Sequence, residues 1–169
     1  MSAARGFRIG QGADAHALAP GRPLRLGGVE IPHDRGLAGH SDGDVLLHAV
    51  ASALLGALGD GDLGRHFPSS DPSLAGIASG ELLRRVMARV HAAGFVLGNL
   101  DATVIAQAPR LAPHVDAMRE SVAKWLGAPP EDVNVKVTST DGLGFLGRAE
   151  GIAALAVALL VRAPGEAPR

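Results

Sequence analysis

Cysteine and tyrosine are missing from the 169 residues, and the aromatic side chains amount to four Phe and one Trp. Without cysteine, neither a disulfide framework nor a thiolate metal site can form. Any metal must then be held by histidine and carboxylate, a donor set that suits zinc in a reducing cytoplasm. With so few aromatics, a core has to be built from Ala, Val, Leu and Ile. Neither sign of charge prevails, with 16 Lys and Arg against 17 Asp and Glu. No basic run stands out, which disfavours nucleic acid as a partner. No apolar run reaches the roughly 18 residues of a membrane span, and the opening MSAARGFRIG lacks the apolar stretch of a secretory signal. A soluble, cytoplasmic protein without a membrane partner is expected. The length fits one domain over residues 1–169, with an ordered core at about 6–163 and a frayed tail at 164–169.

What is present is organised around residues 41–56, SDGDVLLHAVASALLG. Ser41 or Asp42 can cap a helix here, because a short side-chain oxygen accepts from the orphan amides of a first turn, and nearly every position from Val45 to Leu58 is apolar. Such a helix is buried. His48 lies four residues after Asp44, on the same side and one turn further in, so it is aimed into the fold close to a charged entry. A lone histidine on an apolar helix is more often a satisfied core side chain than a ligand. A second cluster alters that balance: Asp14 and His16 are two apart in an extended segment and share a face, giving three metal-competent side chains.

Along the chain, residues 7–11 read as a first strand, and Leu24-Arg25-Leu26 and Val29-Glu30-Ile31 as a hairpin turning at Gly27-Gly28. Residues 33–40 read as a mobile loop. The run GDGDLGRHFPSSDPS is a long, aperiodic connector in which Asp60, Asp62 and Gly64 are candidate ligand contacts. Ser79 is placed to cap a second helix with its apolar stripe at Leu82, Leu83, Val86, Met87 and Val90, stopped by Gly94. A strand at 95–106, a helix between Pro113 and Gly127 and a half-buried strand around Val133, Val135 and Val137 follow. That strand runs into TSTDGLGFLGR, whose hydroxyls, carboxylate and glycines suit phosphate oxygens. Residues 152–161 fit either a helix or a buried strand. The alternation of strands and helices implies a mixed sheet with helices against it.

Taken together, GADAH (12–16), SDGDVLLH (41–48), GDLGRHFP (61–68), AQAPRL (106–111) and TSTDGLGFLGRAEGIA (138–153) resemble the 2-C-methyl-D-erythritol 2,4-cyclodiphosphate synthase family. The resemblance implies an α+β fold, an α/β sandwich with a mixed four-stranded sheet, helices on one face and a small hairpin, assembled as a homotrimer around a threefold axis. It implies Asp14, His16 and His48 as ligands of a catalytic zinc with its fourth position open to substrate, and Asp141 as ligand of a second divalent ion, Mg2+ or Mn2+. By the same resemblance Asp62 and Gly64 contact the cytidine ribose. Ala106, Pro109, Arg110 and Leu111 form the cytosine pocket, and Thr138, Ser139 and Thr140 line the diphosphate. His40, Ser41 and Asp42 belong to a flexible segment over the erythritol. Phe145 and Arg148, with Glu150, line a central cavity that takes isoprenoid diphosphates in some members, trimer packing being their plainer role.

The implied reaction is intramolecular phosphoryl transfer in non-mevalonate isoprenoid synthesis: 4-diphosphocytidyl-2-C-methyl-D-erythritol 2-phosphate closes to the 2,4-cyclodiphosphate and releases CMP. Metals and the substrate's own phosphate suffice, with no side-chain nucleophile. Asp141 stands where the family carries Glu, roughly 1.5 Å shorter in reach, though it keeps the oxygens a hard cation prefers. Gln11, Ala13, Ser52, Arg110 and Gly142 also differ from common family residues. The competing classes are another zinc-dependent phosphohydrolase and a non-catalytic trimer that binds isoprenoid diphosphates.

Overall fold

Two glycines set the central packing. Gly10 and Gly12 face inward from the first strand while Ile9, Gln11 and Ala13 stay exposed. A Cβ at Gly10 would lie 2.0 Å from the Ala53 carbonyl oxygen, and one at Gly12 2.0 Å from that of Ala49. Only glycine lets a helix backbone approach a strand this closely. The computed structural model, which describes residues 6–165, shows the strand as β1 (Phe7–Pro20). It is longer than the expected 7–11 and carries Asp14 and His16 within it.

The chain continues through β2 (Leu24–Leu26), β3 (Val29–Ile31), β4 (Arg35–Leu37), α1 (Val45–Leu58), α2 (Leu63–His66) and α3 (Ser79–Ala92). Then come β5 (Phe95–Ile105), α4 (Val115–Leu126), β6 (Val133–Thr138), α5 (Gly144–Gly147) and β7 (Gly151–Arg162). One five-stranded mixed sheet runs β4-β1-β7-β5-β6, in which only β5 and β6 are parallel, and β2-β3 form a separate hairpin.

The sheet thus has five strands, not the expected four. The extra one is β4, which pairs Leu37 with Leu18 and Arg35 with Pro20. Its residues lie in the stretch expected to be a mobile loop, because three residues are too few to register a period. The connector after α1 is likewise ordered, with α2 and a 3-10 turn at Pro72–Leu74. The ambiguous apolar run is β7, between β1 and β5. Its Ile152, Ala154, Ala156, Ala158 and Leu160 are buried under the helices, while Leu155 and Val157 keep 39% and 45% of their surface exposed. Phe7 and Ile9 share that open face, since Ile9 pairs with Leu159 and Phe7 with Val161. Of the expected C-terminal tail, residues 166–169 lie outside the described residues. Among the described residues no helix is long and apolar enough to cross a membrane.

The cap of α1 is neither Ser41 nor Asp42 but Asp44, which is wholly buried. Its carboxylate accepts from the Leu47 amide (3.1 Å) and, across the fold, from the amides of Gly27 (2.9 Å) and Gly28 (2.6 Å). Those glycines have φ of +62° and +78°, as required when both central residues of a tight hairpin turn are left-handed. Burial pushes the Asp44 carboxyl up, against the pull of the three amides. α3 is capped by Ala78, and Ser79, expected as its cap, is instead the first helical residue, turned inward and 1% exposed. The prediction is that Asp44→Ala, which orphans three amide donors, costs about 3 kcal/mol and lowers the melting temperature by roughly 6–12 °C. A scanning calorimetry trace within about 2 °C of wild type would contradict this role for Asp44.

Candidate functional site

Position two residues apart in β1 puts Asp14 and His16 on the face toward α1, and His48 comes down from that helix to meet them. Asp14 Oδ2 lies 2.8 Å from His16 Nε2 and 2.9 Å from His48 Nδ1, and the two nitrogens are 3.1 Å apart. The trio is the one group among the described residues whose ligand atoms converge closely enough to hold a metal.

The far nitrogen of each imidazole fixes its tautomer. His16 Nδ1 donates to the Ala38 carbonyl, which can only accept, so a neutral His16 turns the lone pair of Nε2 inward. His48 Nε2 lies 3.0 Å from Ser41 Oγ and 2.9 Å from Ser79 Oγ, and Ser79 spends its proton on Asp42 Oδ1. Toward Ser79, His48 Nε2 can therefore only donate, which in a neutral ring leaves the Nδ1 lone pair pointing inward. Two nitrogen lone pairs and a carboxylate oxygen face one point, an arrangement that needs positive charge at its centre. A tetrahedral zinc with bonds of about 2.0–2.1 Å sets its ligand atoms roughly 3.3 Å apart, close to the spacing seen. The donor set thus fits a divalent cation. Without one, protons take that place: burial pushes the Asp14 carboxyl up, but hydrogen bonds and attraction from His16 and His48 outweigh it and hold it well below the usual range. The hydrogen bond to Asp14 in turn lifts the His16 imidazole above its ordinary value.

Beside the trio is an open cavity of about 240 Å3, with His16, His40, Ser41 and His48 on one side and apolar Leu63, Phe67, Leu74 and Ile77 opposite. The segment carrying His40, Ser41 and Asp42 is held by backbone hydrogen bonds to Gly76 and Ile77. Arg22 clamps it from the other side, donating to the carbonyls of Gly39 (2.8 Å) and Ser41 (2.7 Å). Asp62 caps α2 through the Arg65 amide, and Gly64 is exposed within that helix.

The remaining expected residues lie further along the same rim. The Ala106 amide donates to the Thr138 carbonyl and the Gly142 amide to Gln107 Oε1, which joins the start of the segment bearing Ala106, Pro109, Arg110 and Leu111 to the loop bearing Thr138, Ser139, Thr140 and Asp141. Asp141 is exposed, with φ of +52°, and accepts from Ser139 Oγ. Ala15, Ala153, Ile105 and Thr138 are paired in one row across β1, β7, β5 and β6. Three strand spacings, about 14 Å, therefore separate the Asp14–His16 end from the Thr138–Asp141 end within a chain. Phe145 is half exposed, and Arg148 is paired with Glu150.

A model of the YgbB family matches residues 7–161. The chain belongs to the YgbB family. It is 60% identical over 157 residues to the 2-C-methyl-D-erythritol 2,4-cyclodiphosphate synthase of Burkholderia ambifaria, covering 93% of this chain and 98% of that one. The bifunctional IspDF of Campylobacter jejuni superposes with a TM-score of 0.89 at 41% identity, over 93% of this chain and 42% of that longer one. The CDP complex of IspF from Plasmodium falciparum superposes with a TM-score of 0.82 at 31% identity, over 93% and 97% of the two chains. In this YgbB-family chain the sequence pattern did not disclose Ser79, Ala38 or Arg22 as neighbours of the site. Ser79 carried only a helix-start signal, and a backbone carbonyl or a clamp on backbone leaves no signal.

Zinc at a hundred times its dissociation constant should stabilise the wild-type protein by about 2.7 kcal/mol, a rise in melting temperature of roughly 5–10 °C. His48→Ala should show no such rise, and an equal rise in both proteins would place the metal elsewhere.

Proposed function

We propose that the chain is a 2-C-methyl-D-erythritol 2,4-cyclodiphosphate synthase, a lyase of isoprenoid biosynthesis that closes 4-diphosphocytidyl-2-C-methyl-D-erythritol 2-phosphate on itself and releases CMP. The observation that carries the reading is the inward turn of three lone pairs, from Asp14, His16 and His48, beside an open cavity. The name borne by relatives at about 60% identity over nearly the whole chain agrees with it.

Cyclisation brings two phosphates of one substrate together: an oxygen of the 2-phosphate attacks the β-phosphorus, and the bond from that phosphorus to the oxygen of the departing CMP breaks. Zinc at Asp14, His16 and His48, and Mg2+ or Mn2+ at Asp141, would supply the charge neutralisation this approach demands. The protein's own residues orient. His40 and Ser41 border the cavity beside the trio, and with the adjoining Asp42 they hold the erythritol. The hydroxyls of Thr138, Ser139 and Thr140 receive the diphosphate, Asp62 and Gly64 meet the ribose, and the segment bearing Ala106, Pro109, Arg110 and Leu111 reads the base.

Two observations favour self-association with each site shared between neighbours, and the family resemblance makes the assembly a homotrimer. The separation of about 14 Å along the rim is too long for one diphosphate to bridge Asp141 and the trio of the same chain. The open sheet face also carries exposed Phe7, Ile9, Leu155 and Val157, an apolar surface suited to burial against another copy. In such an assembly Phe145 and Arg148 would border a central cavity able to take an isoprenoid diphosphate. The cysteine-free composition suits a cytoplasmic setting.

The cytidine substrate with Mg2+ or Mn2+ should yield CMP and the cyclic diphosphate in equal amounts by 31P NMR, whereas ring-free phosphate release would identify a hydrolase. Asp141→Ala should lower kcat by at least roughly 100-fold and Asp141→Glu should retain activity. Full activity in Asp141→Ala would remove that residue from the metal site.

A further inference from the structure

Ser79 is buried at the first residue of α3, 38 positions from Ser41, and is assigned neither metal nor substrate above. Its hydroxyl has one proton, and the Asp42 carboxylate, within hydrogen-bond distance, can only accept it. Toward His48 Nε2, 2.9 Å away, Ser79 is therefore an acceptor. Ser41 Oγ also faces this nitrogen; it takes a hydrogen bond from the Gly43 amide and can turn its own proton to Ser79 Oγ, 3.2 Å away, which leaves it an acceptor toward His48 as well.

We propose that Ser79 is a positioning residue: with Asp42 it forms a relay that holds His48 in the Nε2–H tautomer, keeps the Nδ1 lone pair aimed at Asp14 and His16, and ties this ligand to the segment at 40–42. The inference rests on the reading of the trio as a metal site for its consequence, though not for its geometry. A metal-bound imidazole is oriented by the partner of its other nitrogen, and loss of such a partner commonly weakens binding by about 10- to 100-fold. Here the partner is a hydroxyl whose polarity is set by a carboxylate one step further out. Replacing that carboxylate by an amide lets the hydroxyl turn round and donate to Nε2, which inverts the tautomer.

The test uses the full chain with 15N-labelled histidine, read by long-range 1H–15N NMR at pH 8 without metal, and separately by chelator competition for zinc. Wild type should show His48 carrying a proton at Nε2, with any second proton at Nδ1 shared with Asp14. Ser79→Ala should show mixed tautomers and zinc affinity lowered by about 10- to 100-fold. Asp42→Asn, which keeps the hydroxyl, should raise the Nδ1–H population and weaken zinc by about tenfold. Ser79→Thr, with the hydroxyl retained, should restore the wild-type tautomer. Unchanged nitrogen shifts together with unchanged zinc affinity in both Ser79→Ala and Asp42→Asn would overturn the relay. Wild-type protein that took up no zinc would overturn the metal reading instead, while the metal-free spectra would still decide the relay.

Discussion

The contact of α1 with bare backbone at Gly10 and Gly12 is the constraint on which the rest of the structure depends. It places the helix axis close enough to β1 for His48, one turn into α1, to reach Asp14 and His16 further along that strand. A side chain at either glycine would push the helix outward against close-packed neighbours, and the three ligand atoms would part. Small residues on both sides make this packing: Ala49, Ala53 and Gly56 from the helix, and Ala154, Ala156 and Ala158 from β7 beside it. A core short of aromatics is what such close layers require.

On this frame the electrostatics follow from which groups can donate. Ala38 and the Ser79–Asp42 pair take the outer protons of His16 and His48, so the inner nitrogens join Asp14 as acceptors around one point. Asp44, in the same helix entry, is committed elsewhere, to the cap of α1 and the turn at Gly27-Gly28. Two acidic residues separated by Gly43 thus have different tasks: Asp42 accepts from the Ser79 hydroxyl that faces His48, and Asp44 locks the hairpin to the helix.

Much of the site was legible in the sequence because its determinants are local. Spacing of two in an extended segment paired Asp14 with His16, spacing of four put His48 one turn inside α1, and the motifs supplied their grouping. What escaped depends on tertiary placement. Asp44 becomes the cap because hairpin amides from another part of the chain complete its hydrogen bonding, a fact absent from residues 41–48 alone. β4 forms because β1 runs on to Pro20, and the apolar run at 152–161 is a strand because two neighbours pair with it. Asp141 looks like a partner of the trio in the motif, yet sheet order sets it three strands away within the chain.

Diffraction data collected on both sides of the zinc absorption edge, from crystals grown with zinc and a cytidine nucleotide, test the central claim most directly. The account predicts an anomalous peak bonded to Asp14 Oδ2, His16 Nε2 and His48 Nδ1, with a non-protein oxygen as the fourth neighbour. No peak between those three atoms, or a peak closed off by a fourth protein ligand, would contradict it.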